Sequence, residues 1–343
     1  MAKEKINICL FITVYSFFLY LLINGYNEKD IFIFTDLFPK EVSKNVKHIQ
    51  LPPISFKDGA KMAPLNSVEG IFENVIGYMR YFYGYLKLRI LLFIKTLNKD
   101  VEVYGHAHTP FSFMFYENDN SNIIEDGLSN YTIKISETHK INPLLDTILH
   151  ICGIYFLSNT EGFGSHKNIK NVYLTKEFDH PLLKNKVKVI DIEELWANLS
   201  INEQDKILSI FNINRNSYNL KGKTLLLLTQ PFSQEGHLTL NQELTIYSEI
   251  IEKFDDYEIF IKPHPRDDKN YEEIFPKVTV IEKTFPIEIL SLIGINPTVV
   301  GSIISNSLLN FKESEIYVYD GELHNERLNN LREDLIKIIN DEE

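Results

Sequence analysis

Short, continuous apolar runs recur along almost the whole chain, separated by stretches long enough to form helices. Eleven of them read as strands: Ile8–Thr13, Ile31–Thr35, Val101–Tyr104, Asn122–Ile124, Val172–Leu174, Val187–Ile190, Thr224–Leu228, Glu258–Ile261, Val278–Ile281, Thr298–Val300 and Glu315–Tyr319. Continuous apolarity suits a strand buried on both faces of a parallel sheet, whereas a half-exposed strand alternates. Strands that alternate with helical stretches argue for doubly wound α/β layers. At 343 residues the chain has room for two such domains. The pattern lapses over residues 199–222, into a polar helix and then NINRNSYNLKGK, before TLLLLT restarts it. The expected organisation is a first domain over 1–215, a second, compact domain over 216–322, and a C-terminal helix over 323–343. Packing back onto the first domain is one option for that helix.

Two segments admit a membrane reading. Residues 6–24 carry no charge, are as long as a membrane span and follow a basic MAKEK. β-branched residues lead the run, aromatics follow, and IFIFTD comes soon after. The expectation is therefore a βαβ opening: strand Ile8–Thr13, helix Tyr15–Ile23, strand Ile31–Thr35. Residues 66–98 are amphipathic and aromatic, with Arg80, Lys87, Arg89 and Lys95 recurring. A helical hairpin covering the first sheet is expected there; a peripheral membrane face is the alternative.

The net charge of −12 points away from non-specific nucleic-acid binding, which rests on phosphate neutralisation by basic residues. It does not exclude an anionic small ligand held by local donors. The two cysteines, Cys9 and Cys152, both lie in apolar runs, with neither metal-site spacing nor a disulfide framework, and read as small buried hydrophobes.

Three segments carry chemistry, each just after an expected strand. In open α/β sheets the ligand crevice lies outside the carboxyl ends of the strands. In Glu125-Asp126-Gly127, two carboxylates end a strand before a turn-permitting Gly. A carboxylate there can act as general base toward a hydroxyl, although a solvated strand-ending turn explains the tripeptide equally well. In Lys262-Pro263-His264-Pro265-Arg266, a His is locked between two prolines. A rigid His flanked by cations suits proton donation or a charged hydrogen bond to phosphate. In Gly301-Ser302-Ile303-Ile304-Ser305-Asn306-Ser307, small hydroxyl residues lead into an expected helix, the setting of an anion site and equally of an ordinary cap. Thr229-Gln230-Pro231 and Phe285-Pro286-Ile287-Glu288 are minor segments in similar positions. The acidic pairs Asp255-Asp256 and Asp267-Asp268 read as solvated turn residues.

The ordered set EDG, KPHP and a serine-rich strand-to-helix turn resembles bacterial sialyltransferases, and the IIEDGLSNY, TQP and FPIE contexts look most like glycosyltransferase family 52, which contains lipooligosaccharide and capsule sialyltransferases. Asp126 and His264 lie 138 residues apart, in different expected domains. The resemblance implies a GT-B fold of two Rossmann-like domains facing across a cleft. It also implies inverting transfer of sialic acid from CMP-sialic acid to a galactoside or sialoside hydroxyl of a surface glycan, with neither metal nor cofactor. Asp126 would be the general base, Glu125 its neighbour, and His264 the donor to the departing phosphate. Ser302, Ser305, Asn306 and Ser307 would hold that phosphate, and Lys262, Pro263, Thr229, Gln230, Pro231 and Glu288 would line the nucleotide site. Tyr104, His106, His108 and Gly127 are candidates for the acceptor side. The absence of a DxD-like cluster after a strand agrees with metal independence. A cytoplasmic location is expected, with the inner face of the membrane as the alternative. The rival functions are a GT-B transferase using another nucleotide sugar and a non-catalytic, membrane-associated polysaccharide-assembly protein.

Overall fold

In a computed structural model of the chain, residues 3–52, 68–109, 111–127, 129–132, 163–183, 185–215, 218 and 222–342 are described. Cys152 and residues 66 and 67 lie outside them. The chain divides into two compact units, Met1–Asn212 and Ile213–Glu343.

The first unit holds a seven-stranded parallel sheet, ordered β3-β2-β1-β4-β5-β6-β7. Its strands are β1 (Lys5–Phe11), β2 (Ile31–Phe34), β3 (His48–Gln50), β4 (Asp100–Gly105), β5 (Ser121–Ile124), β6 (Ile169–Leu174) and β7 (Val187–Val189). The second unit holds a five-stranded parallel sheet, ordered β10-β9-β8-β11-β12. Its strands are β8 (Thr224–Leu228), β9 (Glu258–Lys262), β10 (Thr279–Val280), β11 (Val299–Ser302) and β12 (Glu315–Val318). All eleven expected strands form. The addition is β3, whose three residues HIQ are too short and too polar to show a period. In each sheet the strand order reverses beside the first strand, between β1 and β4 and between β8 and β11. Such switch points open a crevice at the carboxyl edge.

The opening is the expected βαβ unit. Its Val14–Asn24 helix is apolar nearly all round because it is buried nearly all round. Phe17 packs its ring against Phe32, Phe34, Phe38 and Phe211, and the adjacent Phe18 also meets Phe211. Truncating one such ring to Ala costs about 3–5 kcal/mol. Inside, the Tyr20 hydroxyl donates to Asp30 at 2.6 Å and accepts from the Asn7 amide at 2.9 Å. Cys9 is buried.

The basic aromatic stretch forms one helix, Val68–Thr96, rather than a hairpin. No proline interrupts it, and the glycine at its middle marks a close approach, not a turn. A Cβ on Gly84 would lie 3.0 Å from the Pro52 ring and 3.3 Å from Phe111. Among the described residues no helix is long and apolar enough to cross a membrane. In the second unit the Leu240–Lys253 helix is amphipathic, opens with a Thr239–Gln242 capping box, and buries Ile246, Tyr247 and Ile250. The terminal helix, Glu326–Glu342, falls within this unit and contributes Leu328 to the same core.

Candidate active site

Asp126 follows β5 at the carboxyl edge of the first sheet, and three side chains from two neighbouring strand ends converge on it. Thr13, just after β1, donates its hydroxyl to Oδ1 at 2.9 Å. His106 and His108, just after β4, bring their Nε2 atoms to 3.5 Å from Oδ1 and Oδ2 respectively. Thr13 is also the N-cap of the Val14–Asn24 helix, so the carboxylate stands at a helix N-terminus, where negative charge is favoured.

Gly105 makes the His pair possible. Its φ is +120°, and a Cβ there would fall 2.0 Å from the Leu10 carbonyl oxygen. Only glycine lets the two backbones meet, with the His106 N–H donating to Leu10 O at 3.1 Å. The Ile12 N–H donates to His106 Nδ1 at 3.4 Å, which leaves the hydrogen of a neutral ring on Nε2, facing Asp126. His108 stacks on Phe163, ring centroids 4.4 Å apart.

Burial pushes His106 down to about 4, against the attraction of Asp126. Burial also works to raise Asp126, but His106, His108 and the Thr13 hydroxyl outweigh it and hold the carboxyl at about 2. The two influences conflict, since a neutral His106 exerts no full charge on its partner. Complete burial makes the neutral ring the state we assign at pH 7, acting on Asp126 through its N–H dipole. The carboxylate is ionised in either case.

Glu125 is engaged elsewhere. It is buried, and its Oε2 accepts from the Tyr131 hydroxyl at 2.8 Å and from the Thr175 N–H and hydroxyl at 2.6 and 2.8 Å. It ties the end of β6 to the loop after β5. Asn130, three residues past Gly127, accepts from the Asp126 N–H at 2.8 Å and fixes the turn. Tyr104 is not brought to this group. Its hydroxyl donates to Glu102, back along the strand, at 2.7 Å.

The carboxyl edge of the second sheet is cationic. Lys262 ends β9, buried, with Nζ 4.6 Å from the centre of the Phe285 ring. Burial pushes its pKa down to about 7, against the pull of Glu288 and Glu282. Pro263 and Pro265 hold His264 partly open to solvent. The Arg266 N–H donates to His264 Nδ1 at 3.1 Å, so a neutral ring presents Nε2–H. Burial, then Arg266, lowers His264 to about 4.

Beneath this turn lies the residue that the sequence reading placed in solvent. Asp267 is fully buried. It accepts from the Thr229 hydroxyl at 2.9 Å, the Tyr271 hydroxyl at 2.7 Å and the Lys269 ammonium at 3.0 Å. Glu243 joins the same knot through Lys269 at 3.0 Å. Thr229 is thus committed to the knot rather than open to a ligand. Gln230 donates its N–H to the Tyr247 hydroxyl at 2.8 Å, and Pro231 is buried beside it. Asp256, by contrast, is exposed and pairs with Lys223, as expected of a surface turn.

The serine segment differs from expectation in its helix, a five-residue 3-10 turn, Asn306–Asn310. Ser302 is buried and donates to Leu228 O at 3.1 Å, so it fastens β11 to β8. Ser305 caps the turn by accepting from the Ser307 N–H at 3.3 Å, while Asn306 and Ser307 are half-exposed. Asn310 donates to Glu288 at 3.1 Å and joins the FPIE segment to this turn. Thr13, Phe163, Asn130 and Asp267 were not singled out as site residues in the sequence. Thr13 had a signal, because it follows the first strand at the switch point; the others did not.

Proteins resembling this chain fall in line with the geometry. A protein of Haemophilus influenzae described as uncharacterized is 28% identical over 316 residues, 90% of this chain and 92% of its own. The 2,6-sialyltransferase of Photobacterium sp. JT-ISH-224, solved with CMP and lactose, matches 98% of this chain and 76% of its own with a TM-score of 0.56 at 12% identity. The UDP-GlcNAc 2-epimerase of Neisseria meningitidis, solved with UDP-GlcNAc, matches 98% of this chain and 92% of its own with a TM-score of 0.50 at 14% identity. At these identities the solved structures establish the fold, which is of the GT-B class. The model of glycosyltransferase family 52 matches residues 78–326, well over half of the sequence, and the chain belongs to that family.

Proposed function

We propose that this glycosyltransferase moves sialic acid from CMP-sialic acid onto a galactoside or sialoside hydroxyl of a surface glycan, lipooligosaccharide or capsule, with inversion and without a metal. The observation that carries the reading is the chemistry at the two carboxyl edges. One edge presents an ionised carboxylate with a hydroxyl donor and two imidazoles 3.5 Å away, the other a His and a Lys on a rigid turn.

Departure of CMP puts negative charge on its phosphate and oxocarbenium character on the sugar. His264 would donate through Nε2 to a phosphate oxygen, and Lys262 and the Ser305–Ser307 turn would add charge and N–H donors. An approaching phosphate raises the pKa of both cations, so a neutral His264 gains its proton as the anion binds. Glu288 and Phe285 would border this site, and Pro263 would shape it. Asp126 would take the proton of the acceptor hydroxyl, with His106, His108 and Gly127 on the acceptor side. A carboxylate held at about 2 is a weak base in the free protein. The hydroxyl becomes strongly acidic once its oxygen bonds the electrophilic carbon, so a late proton transfer asks little of the base. Displacement by one nucleophile on one face inverts the anomeric centre. General acid–base help of this kind is worth about 10²–10⁴-fold per group.

The test is purified protein with CMP-sialic acid and lactose, with and without EDTA, read as sialyllactose formed. Transfer that survives EDTA is the expected result. No transfer, alongside turnover of a UDP-linked donor, would move the assignment to another nucleotide sugar held on the same edge.

A further inference from the structure

The two oxygens of Asp126 stand in different surroundings. Oδ1 accepts from the Thr13 hydroxyl at 2.9 Å and faces His106, whose side chain is fully buried. Oδ2 has His108 Nε2, at 3.5 Å, as its polar neighbour among the described residues, and that side chain is 21% exposed. Oδ1 therefore lies on the closed side of the group and Oδ2 on the open side.

The hydroxyl hydrogens around Oδ1 have one consistent placement. An ionised carboxylate only accepts, so the single hydrogen of the Thr13 hydroxyl points to Oδ1. The Thr13 oxygen must then accept from behind. Facing it there are the Ser16 hydroxyl at 2.8 Å and the Ser16 N–H at 3.4 Å, in the first turn of the Val14–Asn24 helix. Ser16 is fully buried, and its hydroxyl is shared with the Thr13 carbonyl at 3.2 Å. The chain of donors thus runs one way, from Ser16 through Thr13 to Asp126, and each donor strengthens the next. A β-branched side chain is stiff at χ1, which suits Thr13 to hold a partner in place. Asn130 already fixes the Asp126 N–H at 2.8 Å. Asp126 is therefore tied at its backbone and at one carboxylate oxygen.

We propose, on the reading of Asp126 as the general base, that Thr13 is a positioning residue: it occupies Oδ1 and leaves Oδ2 as the atom that takes the acceptor's proton. In that step the acceptor O–H bond breaks and its proton goes to Oδ2. The acceptor oxygen bonds the anomeric carbon, and CMP departs with the electron pair of the broken glycosyl bond. The Thr13 hydrogen bond also weakens the base. A late proton transfer asks little of base strength and much of orientation, so losing Thr13 slows transfer although it leaves a stronger base.

The experiment is steady-state transfer from CMP-sialic acid to lactose by the full chain, with unfolding midpoints alongside. Thr13→Val lowers kcat about tenfold or more and leaves the KM for the donor within about twofold. Thr13→Ser, which keeps the hydroxyl, stays within about threefold of wild type. Thr13→Val also loses a helix cap, which lowers its midpoint by about 2–4 °C. Thr239→Val removes the cap of the Leu240–Lys253 helix in the second unit. It costs a similar margin and keeps the wild-type kcat, which separates capping from positioning. Thr13→Val at the wild-type kcat or above overturns the proposal. Ser16→Ala, which leaves the Thr13 cap in place, decides the matter if Thr13→Val does not fold: kcat falls about threefold, and an unchanged kcat overturns the proposal. Asp126→Ala at the wild-type kcat sinks the reading of the base itself. Crystal structures of wild type and Thr13→Val test the geometry whatever sugar the enzyme moves. The carboxylate turns about χ2 in the variant, and one that keeps its orientation overturns the proposal.

Discussion

The carboxyl edges of the two sheets have the same topology and opposite chemistry. Each sheet runs its first strand up the middle and reverses strand order beside it. At the first edge an ionised Asp126 receives a hydroxyl and two imidazoles. At the second, Lys262 and His264 stand above a buried carboxylate, Asp267, that is spent entirely on structure. The fold supplies a crevice twice, and the residues just past the strand ends decide whether it is lined by a carboxylate or by cations. An Asp in such a loop is therefore not a site by position alone; what it touches separates Asp126 from Asp267.

Substitutions can break that distinction, and their effects should fall in order. Asp126→Ala should slow transfer about 10³-fold while CMP binding, measured by calorimetry, stays within about twofold. Asp267→Asn should do the reverse: denaturant unfolding of the second unit should lose roughly 3 kcal/mol, because the buried Lys269 loses its charged partner and one of the two acceptor oxygens becomes an NH2 donor. His264→Ala should slow transfer about 10²-fold and also weaken CMP binding, a joint effect Asp126 should lack. Glu125→Gln should cost about 1–2 kcal/mol of stability at the Thr175 and Tyr131 contacts and change transfer only a few-fold, although it adjoins Asp126 in sequence.

Lys262→Met sharpens the comparison through pH. Lys262 titrates at about 7 in the fold and near 10.4 in the unfolded chain. Between those values the unfolded state holds the extra proton, so stability rises as pH climbs from about 7 to 10, and below pH 7 the fold carries the buried charge. The Met variant should therefore gain about 1 kcal/mol at pH 6, flatten that dependence and bind CMP more weakly. Wild-type CMP affinity should fall as pH rises past 7.

Much of this was legible in the sequence. Strands buried on both faces announce themselves as apolar runs, so all eleven expected strands appear and only the three-residue β3 was hidden. EDG and KPHPR lie at strand ends as expected; His106 and His108, named from the sequence only for the acceptor side, lie 3.5 Å from Asp126. What failed did so because a side chain's partner is not visible in a linear pattern, whether it lies far off in the chain or two residues back along a strand. Asp267 looked like a solvated turn because Thr229 is 38 residues away and Glu243 is joined only through Lys269. Tyr104 looked available because Glu102 takes its hydroxyl inside the strand. The hairpin expected over residues 66–98 is one helix, whose Gly84 admits Pro52 and Phe111.

The most direct test of the division between the two edges is CMP release from CMP-sialic acid, with and without lactose, by wild type, Asp126→Ala and His264→Ala. Wild type should release CMP faster with lactose. Asp126→Ala should keep the slow acceptor-independent release and lose the stimulation, whereas His264→Ala should depress both. Stimulated release that survives Asp126→Ala at the wild-type rate, or acceptor-independent release untouched by His264→Ala, would contradict the account.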